Sequence, residues 1–457
     1  MTQDQSLLLR CLVLWVLALG LIVWRYWRRP TPGVGLTLAY SFQMWLLYWF
    51  GALLYVLPWS DLPSKNLGEV GFAQSTYAIL AFATGMLVGG RVLSQHSAAA
   101  HNKMLFPPDP ALPRSYLIAG AVSYVVSGTV LGHLPGLNAV LAVGQQLVVV
   151  GCCLGCWKAW QTRRLHQLIA WLIVAALMPA ITVVTRGFLN FGTMALALVL
   201  VFIAHFVRPR VPLILCYLLI GYLGLSFYTA YMRDRGEIRA EVWAGKPLVD
   251  RVDRFAETVQ TVEWFNPTNQ EHLGSVDGRL NQNALVGAAV FHLSRSGDFA
   301  NGETIWQAIL GFIPRAIWPN KPVSGGSGNL VSRFTGLQFA EGTSVGIGPV
   351  MEFYVNFGTW GVVIGFLFLG GTLSILDYLA RDCLIRGDWE RFALRFLLGA
   401  AFLQVGGSLV EVSTSAMGAL IAATMVNGVL RRRQRGSPAR PVRPANPFEV
   451  KFRGHVP

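Results

Sequence analysis

Charge is scarce in this sequence. Asp, Glu, Lys and Arg make up 13% of its 457 residues, against about 25% in a soluble globular chain. That deficit excludes an ordinary water-soluble enzyme. Disorder is excluded too, because disordered chains are polar and poor in aromatics, whereas 12% of this chain is Phe, Trp or Tyr. Cysteine is sparse, and Cys11, Cys152, Cys153, Cys156, Cys216 and Cys383 all avoid the one long polar segment, so no structural disulfide is implied. The spacing of Cys153 and Cys156 matches half a metal or redox motif, but reads as small residues in a packed helix. A GxxxxGK loop followed by Ser or Thr is missing, which excludes a nucleotide-driven pump. Gly325-Gly-Ser-Gly-Asn329 lacks the lysine and the strand context of such a loop. No His, Cys or carboxylate cluster has zinc spacing.

What the chain has instead is hydrocarbon: 53% apolar residues and a mean hydropathy of +0.48. A spanning helix needs about 20 mostly apolar residues to cross a core of about 30 Å. Such stretches lie at Leu7–Trp24, Leu36–Trp59, Phe72–Val92, Tyr116–Leu131, Leu137–Cys156 and Leu168–Thr185. They continue at Phe188–Val207, Leu213–Tyr231, Gly358–Leu379, Phe392–Val410 and Val412–Leu430. The expectation is an all-α polytopic membrane protein with about 11 transmembrane helices and one large helical external loop. The first stretch ends in Arg25-Tyr-Trp-Arg28-Arg29 without a small-residue cleavage site, and reads as a retained anchor.

Loop charges alternate along those spans. Arg25/Arg28/Arg29, Arg91/Lys103/Arg114, Lys158/Arg163/Arg164 and Arg208/Arg210 mark one side; Lys65 and Arg186 are the cations of the other. Arg381, Arg386, Arg391, Arg395 and the run Arg431-Arg432-Arg433 continue the pattern. The tail is therefore expected inside and the short N-terminus outside. The net charge of +14 fits this bias, so no nucleic-acid partner is implied. The chain divides into residues 1–231 with eight spans, an external loop at 232–345, a short outer helix with three spans at 346–430, and a disordered basic cytoplasmic tail at 431–457.

The external segment, with 11 Lys/Arg and 12 Asp/Glu, is nearly neutral and too long for a simple connector. Leu248, Val252, Phe255, Val259 and Val262 follow amphipathic helical spacing, for a helix on the membrane surface or capping the bundle. Ala284–Leu293 and Thr304–Ile313 are apolar but too short to span, which points to re-entrant or interfacial pieces. From Gly346 to Leu379 the apolar run overshoots a bilayer, and Gly358 is the expected break.

Candidate chemistry sits in and beside that segment. Arg186 lies in a tight turn between two spans, where charge at membrane depth marks a site or snorkels to the interface. Arg315 and Lys321 stand six residues apart on a Trp- and Pro-stiffened stretch flanked by Arg279 and Arg333. Arginine binds phosphate bidentately and Trp318 offers a face for a sugar ring. His292, Glu352 and Glu411 are the external acid/base candidates. A lone His on an apolar face is also a common structural residue, and Glu352 is costly to bury unpaired.

Phe312-Ile-Pro-Arg-Ala-Ile-Trp-Pro-Asn-Lys-Pro322, then Gly342-Thr-Ser and Glu352-Phe-Tyr-Val-Asn-Phe-Gly358, resembles the oligosaccharide repeat-unit polymerases of bacterial surface polysaccharides. These are the Wzy-type O-antigen and exopolysaccharide polymerases. Arg186 is similar to an Arg which that family places at an external helix junction, and the likeness covers mainly residues 180–190 and 280–360. The resemblance implies a glycosyltransferase of the bacterial inner membrane. It would join undecaprenyl-diphosphate-linked repeats at the outer face, without metal or other cofactor. Arg186, Arg315, Lys321, Arg279 and Arg333 would hold the diphosphate, and His292 or Glu352 would deprotonate the acceptor. Trp318, Tyr354 and Asn356 would contact substrate. The implied partners are lipid-linked donor and acceptor, membrane lipid, a chain-length regulator and a flippase. Competing readings are a glycan ligase of the same superfamily and a lipid-linked glycan transporter; a dolichol-phosphate-sugar-type transferase and a membrane acyltransferase rank below them.

Overall fold

A backbone in hydrocarbon must satisfy its own hydrogen bonds, and a helix does so within one segment. Every regular element among the described residues is helical. The structure, a computed structural model, describes residues 3–28, 33–97, 109–129, 137–206, 211–314, 317–318, 320–321, 327–339 and 345–435. Arg29, Lys103, Arg208, Arg210, Arg315, the 342–344 motif and the tail from residue 436 lie outside them.

The chain opens with α1 (Gln3–Arg28), then α2 (Leu36–Met44), a π-helical turn (Trp45–Trp49), α3 (Phe50–Leu54) and α4 (Lys65–Ser97). Next come α5 (Leu112–Ser127), α6 (Leu137–Gly144), α7 (Leu147–Gln161), α8 (Leu165–Arg186), α9 (Asn190–Phe206) and α10 (Val211–Trp243). The polar segment folds as α11 (Leu248–Gln260), α12 (Gln270–Leu280), α13 (Asn283–Ser296), α14 (Glu303–Gly311) and α15 (Ser327–Thr335). Three helices close the chain: α16 (Gly348–Arg386), α17 (Trp389–Ala401) and α18 (Leu409–Arg435).

Six of these are long and apolar enough to cross a membrane: α1, α4, α8, α10, α16 and α18, while α7 and α9 are apolar but shorter. The remaining apolar stretches are short or interrupted. Leu36–Trp59 is helical only to Leu54, continuous through the π turn, 137–156 is interrupted at Gln145 and Gln146, and α17 has 13 residues. This is an all-helical membrane protein.

Its centre is a parallel pair, α4 and α16. Gly85 lies on the backbone of Leu367 and Gly370 on that of Phe82, contacts too close for any Cβ. Small residues let two backbones meet this way where lipid supplies no hydrophobic drive between helices. Ser374 Oγ then donates to Met86 O at 3.1 Å. At the far end of α16, buried Asp377 accepts from Val34 N and Leu36 N, both at 2.9 Å, and so starts α2. The long apolar run is interrupted at Phe357 (φ −142°, ψ 25°) and Gly358 (φ 60°, ψ −150°), a conformation open only to glycine at the second position.

The polar segment does not lie on the surface throughout. α12 and α13 form an open hairpin, its tip rather than its arms packed, driven into the bundle with α13 antiparallel to α4: Gly71 meets the Asn283 backbone, and Gly287 meets Leu67. At its tip, Gln282 N–H donates to Leu47 O (2.9 Å) and Asn283 Nδ2 to Tyr48 O (2.7 Å). Those carbonyls belong to the widened π turn, a device that takes backbone groups out of the regular ladder. Asn281 and Asp277 close the tip against Tyr55 and Ser64.

α11 folds back along α10, where Phe255 packs on Phe227 at 5.8 Å and Thr258 donates to Asp234. The rest of its apolar stripe, Leu248, Val252 and Val259, is exposed. Below that contact α10 stands off from the bundle. Residues 215–224 are exposed on every face except at Tyr217, whose hydroxyl reaches Leu200 O at 3.2 Å.

Candidate functional site

Two polar features stand beside the inserted hairpin. The first is a gathering of arginines. Arg235 and Arg239 lie one turn apart on α10, and Arg235 is within electrostatic reach of both Arg239 and Arg279, the last from the end of α12. Tyr228 and Tyr231 complete the face. Arg239 donates through Nε to Gly187 O at 3.1 Å, in the turn between α8 and α9, and lies 4.3 Å over the Phe188 ring. Tyr231 donates to the same carbonyl at 2.9 Å. Arg235 reaches the Met232 sulfur at 3.8 Å, a weak acceptor.

The acidic residues of α10 do not neutralise this face. Asp234 pairs with Arg233, Glu237 with Arg254 and Glu241 with Lys246. Among the described residues, neither Arg235 nor Arg239 has a carboxylate within ion-pair distance. Like charges one helical turn apart repel, and an anion seated between Arg235 and Arg239 would relieve that repulsion.

The second feature is an open groove of about 540 Å³ between the last turn of α13 and the end of α15. Phe291, His292, Arg295, Ser296, Thr335 and Gly336 line it. Gly336 takes φ +70° after α15, and a Cβ there would come 3.2 Å from His292 Nδ1. Glycine thus ends α15 and leaves the imidazole its space. Among the described residues, His292 makes no side-chain hydrogen bond.

The other residues singled out by sequence are tied into the scaffold. Arg186, the last residue of α8, donates to Gln145 Oε1 and Tyr124 O, both at 3.0 Å, and to Ser127 Oγ. Its guanidinium also covers the Tyr124 ring at 3.9 Å. Lys321 Nζ donates to Leu310 O and Ile313 O, each at 3.1 Å, closing the C-terminus of α14. Arg333 pairs with Glu303 at 2.9 Å on the surface. Trp318 is partly exposed in the same stretch.

Glu352 and Asn356 are interior. Glu352 Oε2 accepts Leu409 N–H at 2.6 Å, holding the first turn of α18, with Thr304 beside it. Asn356 donates to Thr304 Oγ1 (2.7 Å) and accepts Gly302 N–H (2.9 Å), fixing the start of α14. Buried Tyr354 faces Phe299, with ring centroids 6.3 Å apart. Glu411 accepts from Ser327 Oγ at 2.7 Å and from Ser408 N–H. Of the sequence candidates, then, Arg279 joins the arginine face and His292 lines the groove, while Arg186 stands one residue from Gly187.

Arg235, Arg239 and Arg295 carry no motif. The i, i+4 spacing of the first two was the available signal, but their partner Arg279 lies 40 residues further along. Residues 64–384 match the model of a family described as a domain of unknown function, DUF8712, and the chain belongs to that family. The match contains the hairpin, the arginine face and the groove. No curated protein and no solved structure matches the chain.

Proposed function

We propose that this protein is an oligosaccharide repeat-unit polymerase of the Wzy type, working at the outer face of a bacterial inner membrane. About 11 spans, counting broken and short helices with the six long ones, leave residues 232–345 outside and the C-terminus in the cytoplasm. α12 and α13 are then a re-entrant hairpin, a non-spanning element tolerated at membrane depth because protein surrounds it.

The observation that carries the reading is the arginine face. Undecaprenyl diphosphate leaves from the anomeric carbon of the growing glycan, and its departing charge needs fixed positive groups. Arg235, Arg239 and Arg279 supply them on rigid helices, and Arg186 braces the adjoining turn. In the transfer, the acceptor hydroxyl oxygen bonds to the anomeric carbon while the bond to the diphosphate oxygen breaks. The hydroxyl proton passes to a base, for which His292 in the groove is the candidate, and undecaprenyl diphosphate leaves as the anion. Lys321 and Arg333 spend their charge on the α14 carbonyls and on Glu303, and Trp318 offers a stacking face. Donor and acceptor are both lipid-linked; a flippase supplies them and a chain-length regulator stops the product.

The test uses purified protein, defined lipid-linked repeats and a gel of product lengths. Arg235→Gln, Arg239→Gln and Arg279→Gln should each lower polymer formation by about 10²-fold at unchanged expression. Full activity in all three would remove the assignment. A transporter is the second reading, favoured by the π turn that meets the non-helical tip between α12 and α13; gradient-dependent flux of lipid-linked glycan in vesicles, with no polymer made, would establish it. Glycan handed to a different acceptor would identify a ligase.

A further inference from the structure

We infer that the groove between α13 and α15 is a subsite for an acidic sugar, one that carries a carboxylate on its ring. The inference rests on the polymerase reading for its biological setting and on the groove alone for its chemistry. Arg295 is exposed, and its guanidinium carbon stands 3.8 Å from the centroid of the Phe291 ring. The pair forms a floor that is apolar in the middle and cationic at one edge. None of the six lining residues is Asp or Glu, and among the described residues Arg295 has no carboxylate partner. A guanidinium held against an aromatic ring is already oriented, so a planar carboxylate can dock in a two-pronged pair with little ordering cost. His292 and Ser296 stand on the same wall as hydrogen-bonding groups for ring hydroxyls.

Size and charge narrow the ligand. The groove's 540 Å³ falls within the range of small-molecule sites, about 300–1,000 Å³. The one permanent cation among its described lining residues, Arg295, balances a carboxylate of single charge rather than a phosphate of double charge. The arginine face on α10, with several guanidinium groups, is the place for the more highly charged group. Division of labour between the two sites follows: phosphate at α10, uronate at α13.

Equilibrium binding tests the inference apart from catalysis. Full-length protein in nanodiscs is titrated with methyl β-glucuronide, methyl β-glucoside and glucose 6-phosphate, using saturation-transfer NMR. The glucuronide should bind at least about 10-fold more tightly than the glucoside, a difference of about 1.4 kcal/mol, and glucose 6-phosphate should lose affinity on Arg239→Gln but not on Arg295→Gln. Arg295→Gln should abolish the preference, and its melting curve should match the parent because the side chain is exposed. Arg239→Gln should leave the preference intact. Equal affinity for the two glycosides, no glucuronide binding, or indifference to Arg295→Gln each overturns the subsite. Polymer formation without a uronate preference would sink only this inference; a uronate preference without polymer formation would sink only the enzymatic reading.

Discussion

At the scale of single residues, hydrogen-bond partners separate scaffold from chemistry. Arg186 makes three hydrogen bonds to neighbouring elements and covers Tyr124. Arg186→Ala should therefore cost about 2–3 kcal/mol of stability, read as a lowered melting temperature in detergent. Arg186→Lys should restore little, because an ammonium cannot reach three acceptors and stack at once. Glu352 gives a sharper division. Glu352→Gln keeps an oxygen for Leu409 N–H and removes a fully buried charge, so stability and polymer formation should both persist; loss of turnover in a fully folded Gln variant would make Glu352 a proton-transfer group instead. Glu352→Ala removes the cap of α18 and should lower stability by about 1–2 kcal/mol.

At the scale of elements, the inserted hairpin depends on two glycines. Any side chain at Gly287 meets Leu67 O, and one at Gly71 meets the Asn283 backbone. Gly287→Val should push α13 off α4, costing at least about 1–3 kcal/mol, with the 281–283 tip becoming open to protease. An unchanged digestion pattern would contradict this packing. Much of this level was legible in the chain. The stretch Ala284–Leu293 was too short to span, and Gly358 had to break an over-long run. The π turn was not legible, since Trp45–Trp49 is as apolar as its flanks and its purpose, two carbonyls for Gln282 and Asn283, lies 235 residues away. The stripe of α11 showed the opposite failure. Its spacing gave the helix, but Phe255 is the member of that stripe that packs on α10 at the ring contact, while Leu248, Val252 and Val259 face outward. Charges were legible as residues and not as partners: Lys321 and Arg186 spend their donors on carbonyls and polar side chains that only the folded chain brings near.

For the whole molecule, sidedness is the open quantity. Five of the six cysteines are buried and Cys216 alone is exposed, so native background in thiol labelling is low. Ser294→Cys, at the end of α13, should react with a membrane-impermeant maleimide in intact cells, whereas His166→Cys, at the start of α8, should react only after lysis. The reverse pattern would invert the proposed topology and put the arginine face inside.

The stand-off of α10 has a consequence of its own. Apart from the hydroxyls of Tyr217 and Tyr222, which reach Leu200 O and Phe265 O, these ten residues depend on the acyl chains around them. Bilayer thickness should act on this helix before any other, tilting it as chains shorten. Because Arg235 and Arg239 ride on the same rod, lipid composition becomes a lever on their distance from Arg279. The membrane is then a working part of the apparatus, setting how wide its jaws stand.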